Sequence, residues 1–273
     1  MDARLSAIVS KLVYQVQETI DEFNITEEEW MEAIHFMTNV GKNDEYHLLS
    51  DVLGFSVKVN EKTHANSKNN VATDHSVEGP LYRDNAPVHH CEASMFEGEE
   101  EPGDVLFLSG QVTYSDGTPV PKAIVDVWQS NAEGDYENED PKQADYNYRR
   151  KIETDNNGHY KLKTMVPGPY RISKSGYVGQ LLQKMGRHDW RPAHIHFKIS
   201  DDFQEPLTTM LFIENDPWID SDAIGAVKDS LILRTKKIDD PNEMNQYEMD
   251  KPFYVAEYNF VIEKAEERTN QIN

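Results

Sequence analysis

The sequence predicts an α+β protein that is mainly β, with a helical N-terminal part resting on an antiparallel β-sandwich. Three observations carry this. Leu5, Ile8, Val9, Leu12, Val13, Val16, Ile20 and Phe23 recur at helical spacing near the N-terminus. From residue 104 the apolar period shortens to two, the period of a half-buried strand. Turn signals such as Asp116-Gly117 and Asn157-Gly158 then punctuate short apolar runs.

The first apolar stripe predicts an amphipathic helix over about residues 3–23. Thr26 and Glu29 have the spacing of a capping box for a second helix, whose apolar face is Trp30, Ile34 and Met37 and whose stop is Gly41. A third helix is expected over about 44–57, with Leu48, Leu49, Val52 and Leu53 on its core side. Asp51 lies among those leucines; taken alone it reads as a solvated or capping acid. Residues 60–76 are polar and read as a linker, which divides the chain into a helical part, 1–76, and a sandwich, 77–273.

Val77 to Tyr82 is a turn with an apolar rim, and the acidic run 84–103, with Glu97 and Glu99 to Glu101, reads as a solvated loop. Val105, Phe107 and Val112 begin the strands, followed by Ile124–Trp128. Arg150–Thr154 and His159–Lys163 flank Asn157-Gly158 and predict a hairpin. Further strands are expected at 194–200, 207–213 and 252–262, with a short helix within Ser221–Leu233 and a polar tail from Glu263.

Charge narrows the function. The chain holds 27 basic against 49 acidic residues, a net −22, a field that repels phosphate backbones and anionic lipid. Nucleic acid and membrane partners are therefore not expected. Cys91 is the single cysteine, so no disulfide can form within the chain and a metal would draw on His, Tyr, Asp or Glu. With no leader-like h-region and no run of 18 apolar residues, a soluble cytoplasmic protein is expected.

The run Gly186-Arg-His-Asp-Trp-Arg191-Pro-Ala-His194-Ile-His196-Phe197 stands out. Ile195, Phe197 and Ile199 alternate with His194, His196 and Lys198, the pattern of a strand. Two histidines roughly 6.6 Å apart along one strand face can converge on one metal ion. The same pair also fits two polar residues on a wet face. Tyr136, after a strand and beside Gly134, and Tyr170, in Pro167-Gly-Pro-Tyr170, each fit a core ring with a satisfied hydroxyl.

Together these segments resemble the intradiol ring-cleaving dioxygenases. The matching stretches are Val77-Glu-Gly-Pro-Leu-Tyr82, Val125-Asp-Val-Trp-Gln-Ser-Asn131 with Gly134-Asp-Tyr136, Asn147-Tyr-Arg-Arg150, Gly158-His-Tyr160, Gly186-Arg-His188 and Arg191 to His196. The resemblance implies one non-haem Fe(III) held by Tyr136, Tyr170, His194 and His196. The chemistry agrees: ferric iron is hard and favours phenolate oxygen, and a bound cation holds a tyrosine ionised below its ordinary pKa of about 10. It implies insertion of both atoms of O2 into an aromatic vicinal diol, with cleavage between the hydroxylated carbons to a muconate-type diacid. Tyr170 is then the base that takes a diol proton, and Arg191 steadies negative charge on the ring. The alternative for Arg191 is an ion pair at the surface.

The resemblance further assigns the pocket wall to Leu48, Asp51, Val77, Gly79, Pro80, Leu81, Ile172, Arg191 and Ile224, and implies a homodimer through the helical part. One departure is Met210, where the family usually has Gln or His; methionine cannot donate a hydrogen bond. Leu48 to Gly54, Gly179 to Leu182 and Asp220 to Ala223 are similar to the hydroxyquinol and chlorocatechol branches, and Glu78 to Tyr82 to the catechol branch. Hydroxyquinol or catechol is the expected substrate. Two other readings stand beside this one: a metal-free β-sandwich binding module, and a hydrolase with a His-bound divalent metal and carboxylate ligands.

Overall fold

The computed structural model describes residues 2–65, 71–96, 102–172, 175–201 and 207–264. Asp2 caps α1 (Ala3–Phe23) by accepting from the Leu5 N–H, and Asn24 ends it in the left-handed region. Its apolar stripe forms as expected, but among the described residues of the chain nothing covers it: Leu12 is 57% and Phe23 70% exposed. The Thr26–Glu29 capping box opens α2 (Glu27–Lys42). Gly41 does not stop this helix. A Cβ there would lie 2.9 Å from the Tyr46 ring, so the glycine serves close packing.

The expected third helix is two. α3 (Tyr46–Val52) and α4 (Phe55–His64) are separated at Gly54, whose φ of +73° is left-handed. Part of the expected linker is thus helical, and residues 66–70 of it lie outside the described residues.

The remaining elements are β1 (Val88–His90), β2 (Glu92–Ser94), β3 (Val105–Tyr114), β4 (Ile124–Gln129), β5 (Arg149–Glu153), β6 (His159–Met165), β7 (Tyr170–Arg171), α5 (Tyr177–Lys184), β8 (Trp190–Arg191), β9 (His194–Ser200), β10 (Leu207–Ile213), β11 (Ile232–Leu233), β12 (Lys236–Ile238), α6 (Pro241–Gln246), β13 (Phe253–Glu257) and β14 (Phe260–Ile262). One sheet runs β1-β5-β4-β9-β10-β11 and the other β12-β13-β3-β6-β2, with β14 also on β3. The sheets face each other: the Phe197 and Phe260 rings meet at 4.9 Å, and Thr164 of β6 donates to Gln129 of β4.

The sandwich is mixed, which corrects a purely antiparallel expectation. β4, β5, β9 and β10 pair antiparallel, as do β3 with β6 and β12 with β13. β1, β2, β11, β13 and β14 each add a parallel pair. Alternation with period two is the same in both orientations, so the pattern could not separate them.

Asn157-Gly158 makes a tight turn but no hairpin. β5 pairs with β4 in one sheet and β6 with β3 in the other, so the chain crosses between layers there. Gly158 is required at this crossing, because a Cβ would lie 2.4 Å from the Val112 carbonyl oxygen. The loop expected at 84–103 holds β1 and β2; its residues 97–101 lie outside the described residues. The helix expected near 221–233 is instead two single 3-10 turns, Ile219–Ser221 and Asp229–Leu231. The expected last strand is split into β13 and β14, and residues 265–273 of the expected tail lie outside the described residues. No described helix is long and apolar enough to cross a membrane.

Candidate metal centre

Strand alternation places the site. Phe197 of β9 points at the second sheet, so His194 and His196 point to the opposite face of the first. That face is not wet: the two histidines are 1% and 2% exposed. β9 is central, with His196 opposite Trp128 on β4 and opposite Met210 on β10. The Trp128 indole stacks on the His196 imidazole, with centroids 4.7 Å apart and planes 5° apart. Loops then bring in the tyrosines. Tyr136 follows β4 and is buried, Tyr170 opens β7 and is partly exposed, and their rings meet edge-on at 5.6 Å.

The two tyrosine loops are held together by backbone. The Asn131 side chain accepts from the N–H groups of Glu133 and Asp135, and Gly168 N–H donates to the Asn131 carbonyl. Gly134 has a φ of +88°, and a Cβ there would lie 2.5 Å from the Pro169 carbonyl oxygen. Only glycine allows Tyr136 and Tyr170 to approach in this way.

The histidine geometry fits a cation. His194 Nδ1 lies 2.7 Å from the Pro192 carbonyl, which only accepts, so the proton is on Nδ1 and Nε2 carries the lone pair. That Nε2 lies 3.1 Å from Nε2 of His196. Burial, aided by the Arg191 charge, pushes the His194 pKa down to about 3. His196 is pushed well below its ordinary value by burial and then by His194. Both are therefore neutral imidazoles, the form that binds a metal.

Two buried polar atoms at this place, the Tyr136 hydroxyl and His196 Nδ1, make no well-formed hydrogen bond. Such a group costs about 1–3 kcal/mol when left unpaired. Burial and the neighbouring Tyr170 raise the Tyr136 pKa well above 10, and burial raises that of Tyr170 against the opposing Arg191 charge. The phenols stay protonated unless a cation compensates them. Two phenols and two imidazoles are a donor set suited to a hard, highly charged ion. Among the described residues, no group of three or more His, Cys, Asp and Glu could hold a metal, so a carboxylate-rich divalent cage has no counterpart.

Arg191 is not a surface residue; it is 3% exposed. Its Nε and Nη2 donate to the Asp222 carboxylate at 3.1 and 3.3 Å, its Nη1 to His194 Nε2 at 3.3 Å, and its Nη2 to Met210 Sδ at 3.3 Å. Tyr170 and Arg191 are opposite each other across β7 and β8. Burial is the largest single influence and works against the guanidinium charge, but the Asp222 carboxylate and Tyr170 together outweigh it and keep Arg191 above its ordinary pKa.

The expected pocket residues divide. A Cβ on Gly79 would lie 3.6 Å from His196 Cε1, so Gly79 lies against the His196 imidazole. Asp51 is half-buried on α3 and close enough to Arg191 for that charge to oppose the burial that raises its pKa. Ile224 is buried, and its N–H donates to Asp222. The Leu81 carbonyl accepts from Arg149 at 2.6 Å. Leu48, Val77 and Ile172 pack on the core half-buried, and Pro80 is exposed. No described hydrogen bond or ring contact ties these last four to the tyrosine and histidine cluster.

The sequence reading missed three partners. In the sequence Trp128 and Arg149 stand out only as members of matching motifs, and Asp222 only as part of a branch-like segment. Arg149 is 1% exposed, pairs with Glu137 at 2.7 Å and lies over the Tyr136 ring. A lone acid or arginine in sequence carries no signal of burial, so only the fold could reveal them.

A family model described as Dioxygenase matches residues 77–263, and one described as Catechol dioxygenase N terminus matches residues 2–71. The chain is 35% identical over 269 residues to a hydroxyquinol 1,2-dioxygenase of Rhizobium sp. strain MTP-10005, covering 96% of this chain and 90% of the relative. It is 34% identical over 256 residues to a catechol 1,2-dioxygenase of Acinetobacter baylyi, covering 92% and 82%. The solved catechol 1,2-dioxygenase of Acinetobacter sp. ADP1 superposes with a TM-score of 0.87 at 32% identity, covering 97% of this chain and 87% of that one. Fold and relatives thus define a dioxygenase. The chain belongs to the intradiol ring-cleaving dioxygenase family, whose members open aromatic vicinal diols with O2 and use non-haem Fe(III).

Proposed function

We propose that this protein is a non-haem Fe(III) intradiol 1,2-dioxygenase that holds its iron through Tyr136, Tyr170, His194 and His196. The observation that carries this is the convergence of the two Nε2 atoms at 3.1 Å, with the buried Tyr136 hydroxyl, which makes no well-formed hydrogen bond, in the same cluster. When bound, ferric iron supplies a Lewis acid for both diol oxygens and a route for electrons between ring and O2. The protein's own groups do the rest. Tyr170, partly exposed and beside Arg191, takes a proton from the incoming diol. Arg191 is already aimed by Asp222 and stabilises the charge that builds on the ring. Trp128 fixes the plane of His196, and Gly79 leaves room above it for the substrate.

The test is iron content with a visible spectrum, taken with and without a diol. About one iron per chain and a tyrosinate charge-transfer colour that shifts on adding the diol are expected. A colourless, active protein carrying zinc would refute it. We also divide the chain near residue 76 and propose that the exposed stripe of α1 pairs with a second copy. The same preparation is then expected to scatter light as twice the 31.4 kDa chain.

The substrate reading rests on Asp51. Its carboxyl is half-buried, and burial raises its pKa against the pull of a Ser56 hydrogen bond, Arg191 and His47. A third ring hydroxyl gives this carboxyl a partner that catechol lacks. A site built around such a bond can discriminate strongly against an analogue without it. We therefore favour hydroxyquinol, the 1,2,4-triol, turned over at least as well as catechol. Asp51→Ala is expected to lower kcat/KM for the triol about tenfold or more, the scale of a lost hydrogen bond to a charged group, and to change the diol little. A parent that clearly prefers catechol, with both substrates equally affected in the variant, returns Asp51 to a structural role.

A further inference from the structure

We infer that Asp222 is the positioning residue that aims Arg191, and that it ties the guanidinium to the pocket wall at Ile224. This rests on the reading of Arg191 given above. Arg191 ends a strand of only two residues, and its long side chain has no helix to fix it. Asp222 grips it side-on, accepting from both Nε and Nη2. The other partners are weaker or shared. Met210 Sδ is a poor acceptor, and the His194 Nε2 lone pair is the one a metal takes. With a metal in place, Asp222 is the carboxylate partner of Arg191, alongside the Tyr170 oxygen that also attracts the guanidinium, and the guanidinium edge bearing Nη1 faces the site.

Asp222 is itself held from several sides. Its Oδ2 accepts from Ala226 N–H at 3.0 Å, its Oδ1 from Ile224 N–H at 3.4 Å, and its carbonyl from Gly225 N–H at 2.9 Å. The next residue, Ala223, donates its N–H to the Trp190 carbonyl, which binds the turn to β8. The Ala223 carbonyl accepts from Arg187 Nη2 at 2.8 Å, while Arg187 Nη1 grips the Val52 carbonyl at the end of α3 at 2.9 Å. One carboxylate therefore sets the guanidinium and the pocket-wall residue in a single rigid turn, anchored to the helix that carries Asp51. Asp222 also neutralises a buried positive charge beside a site for a trivalent cation.

The experiment is a double-mutant cycle on the iron-loaded protein, with Asp222→Asn, Arg191→Ala and the double variant. Asparagine keeps the size of the side chain and an oxygen for the turn. Three quantities are read: iron content, the visible spectrum during diol titration, and the rate at which the diol-bound protein reacts with O2. Asp222→Asn is expected to keep iron and the diol-induced spectral shift while the oxygen-dependent rate falls about tenfold or more, short of the roughly 10²–10³-fold cost of losing an electrostatic donor outright. In the Arg191→Ala background the same change is expected to alter that rate by less than about twofold, because its target is gone.

If Arg191→Ala leaves the rate unchanged, the role of Arg191 fails and this inference falls with it. If Arg191→Ala slows the reaction but Asp222→Asn does not, or slows both backgrounds equally, the role of Arg191 stands and the inference is overturned. Should Asp222→Asn fail to fold, Asp222→Glu, which keeps the charge and moves it by one methylene, goes through the same cycle under the same criteria.

Discussion

His196→Ala is expected to lose most of the iron, the visible colour and the turnover together. His196 sits at the centre of the sheet between Trp128 and Met210, and its Nε2 is the nearer partner of His194 Nε2 at 3.1 Å. Alanine leaves a hole under the indole and removes the His196 nitrogen donor. Removing a group that merely supports a metal ligand costs about 10–100-fold in affinity, and a ligand itself lies at or beyond the top of that range. His194→Ala is expected to behave alike, with the added loss of the Arg191 Nη1 partner. The tyrosines should differ from each other. Tyr136 is 1% exposed and its hydroxyl makes no well-formed hydrogen bond, so Tyr136→Phe removes a donor that solvent cannot replace. Tyr170 is partly exposed, so Tyr170→Phe keeps more iron while still losing turnover. Metal analysis of the four purified variants beside the parent decides the matter. Four variants that hold iron and turn over like the parent would place the site elsewhere.

Arg191→Lys is the second large effect, and the substitution is not conservative here. Arginine meets Asp222 with two donors, His194 with a third and Met210 with a shared one, all in one plane. Lysine is a flexible point charge that cannot reproduce the fork. Iron binding and the diol-induced spectral shift are expected to survive, because Arg191 is neither a ligand nor an anchor of β9. The oxygen-dependent step is expected to slow about 10²–10³-fold, the cost of losing one preorganised electrostatic donor. Rapid mixing of the diol-bound protein with O2 reads that step directly, and an unchanged rate would remove Arg191 from the chemistry. Arg191→Ala should also lower stability. It leaves Asp222, 9% exposed, without its charge partner, and breaking a buried pair costs about 3–5 kcal/mol. A thermal melt of the metal-free protein gives that cost separately from turnover.

Much of the architecture was legible because local signals and tertiary packing agree. The capping box at Thr26 and Glu29 fixes the start of α2 by bonds three residues apart, and the α1 stripe needs no partner to be recognised. The strand at His194 reads correctly because Ile195, Phe197 and Ile199 alternate with the histidines on a strand buried on both faces. Where distance in sequence matters, the reading fails. Asn157-Gly158 has the chemistry of a hairpin turn, yet β5 and β6 join different sheets, since their partners β4 and β3 are set by packing far along the chain. The strands β13 and β14 run parallel to β3, which lies about 150 residues earlier, and alternation has no direction.

The sequence by itself therefore determined the candidate site residues and their order: two tyrosines beside glycine and proline turns, then Arg191, then a histidine pair on a strand. These rest on local backbone geometry, which short spacings encode. Only the tertiary structure decided that the histidines are dry, that Trp128 stacks on one of them, that Arg191 is buried rather than at the surface, and that Asp222 holds it. Burial and ion pairing depend on which distant segments close over a face. Asp222 lies 31 residues beyond Arg191 in the chain and 3.1 Å from it in space, and no pattern in sequence carries that distance.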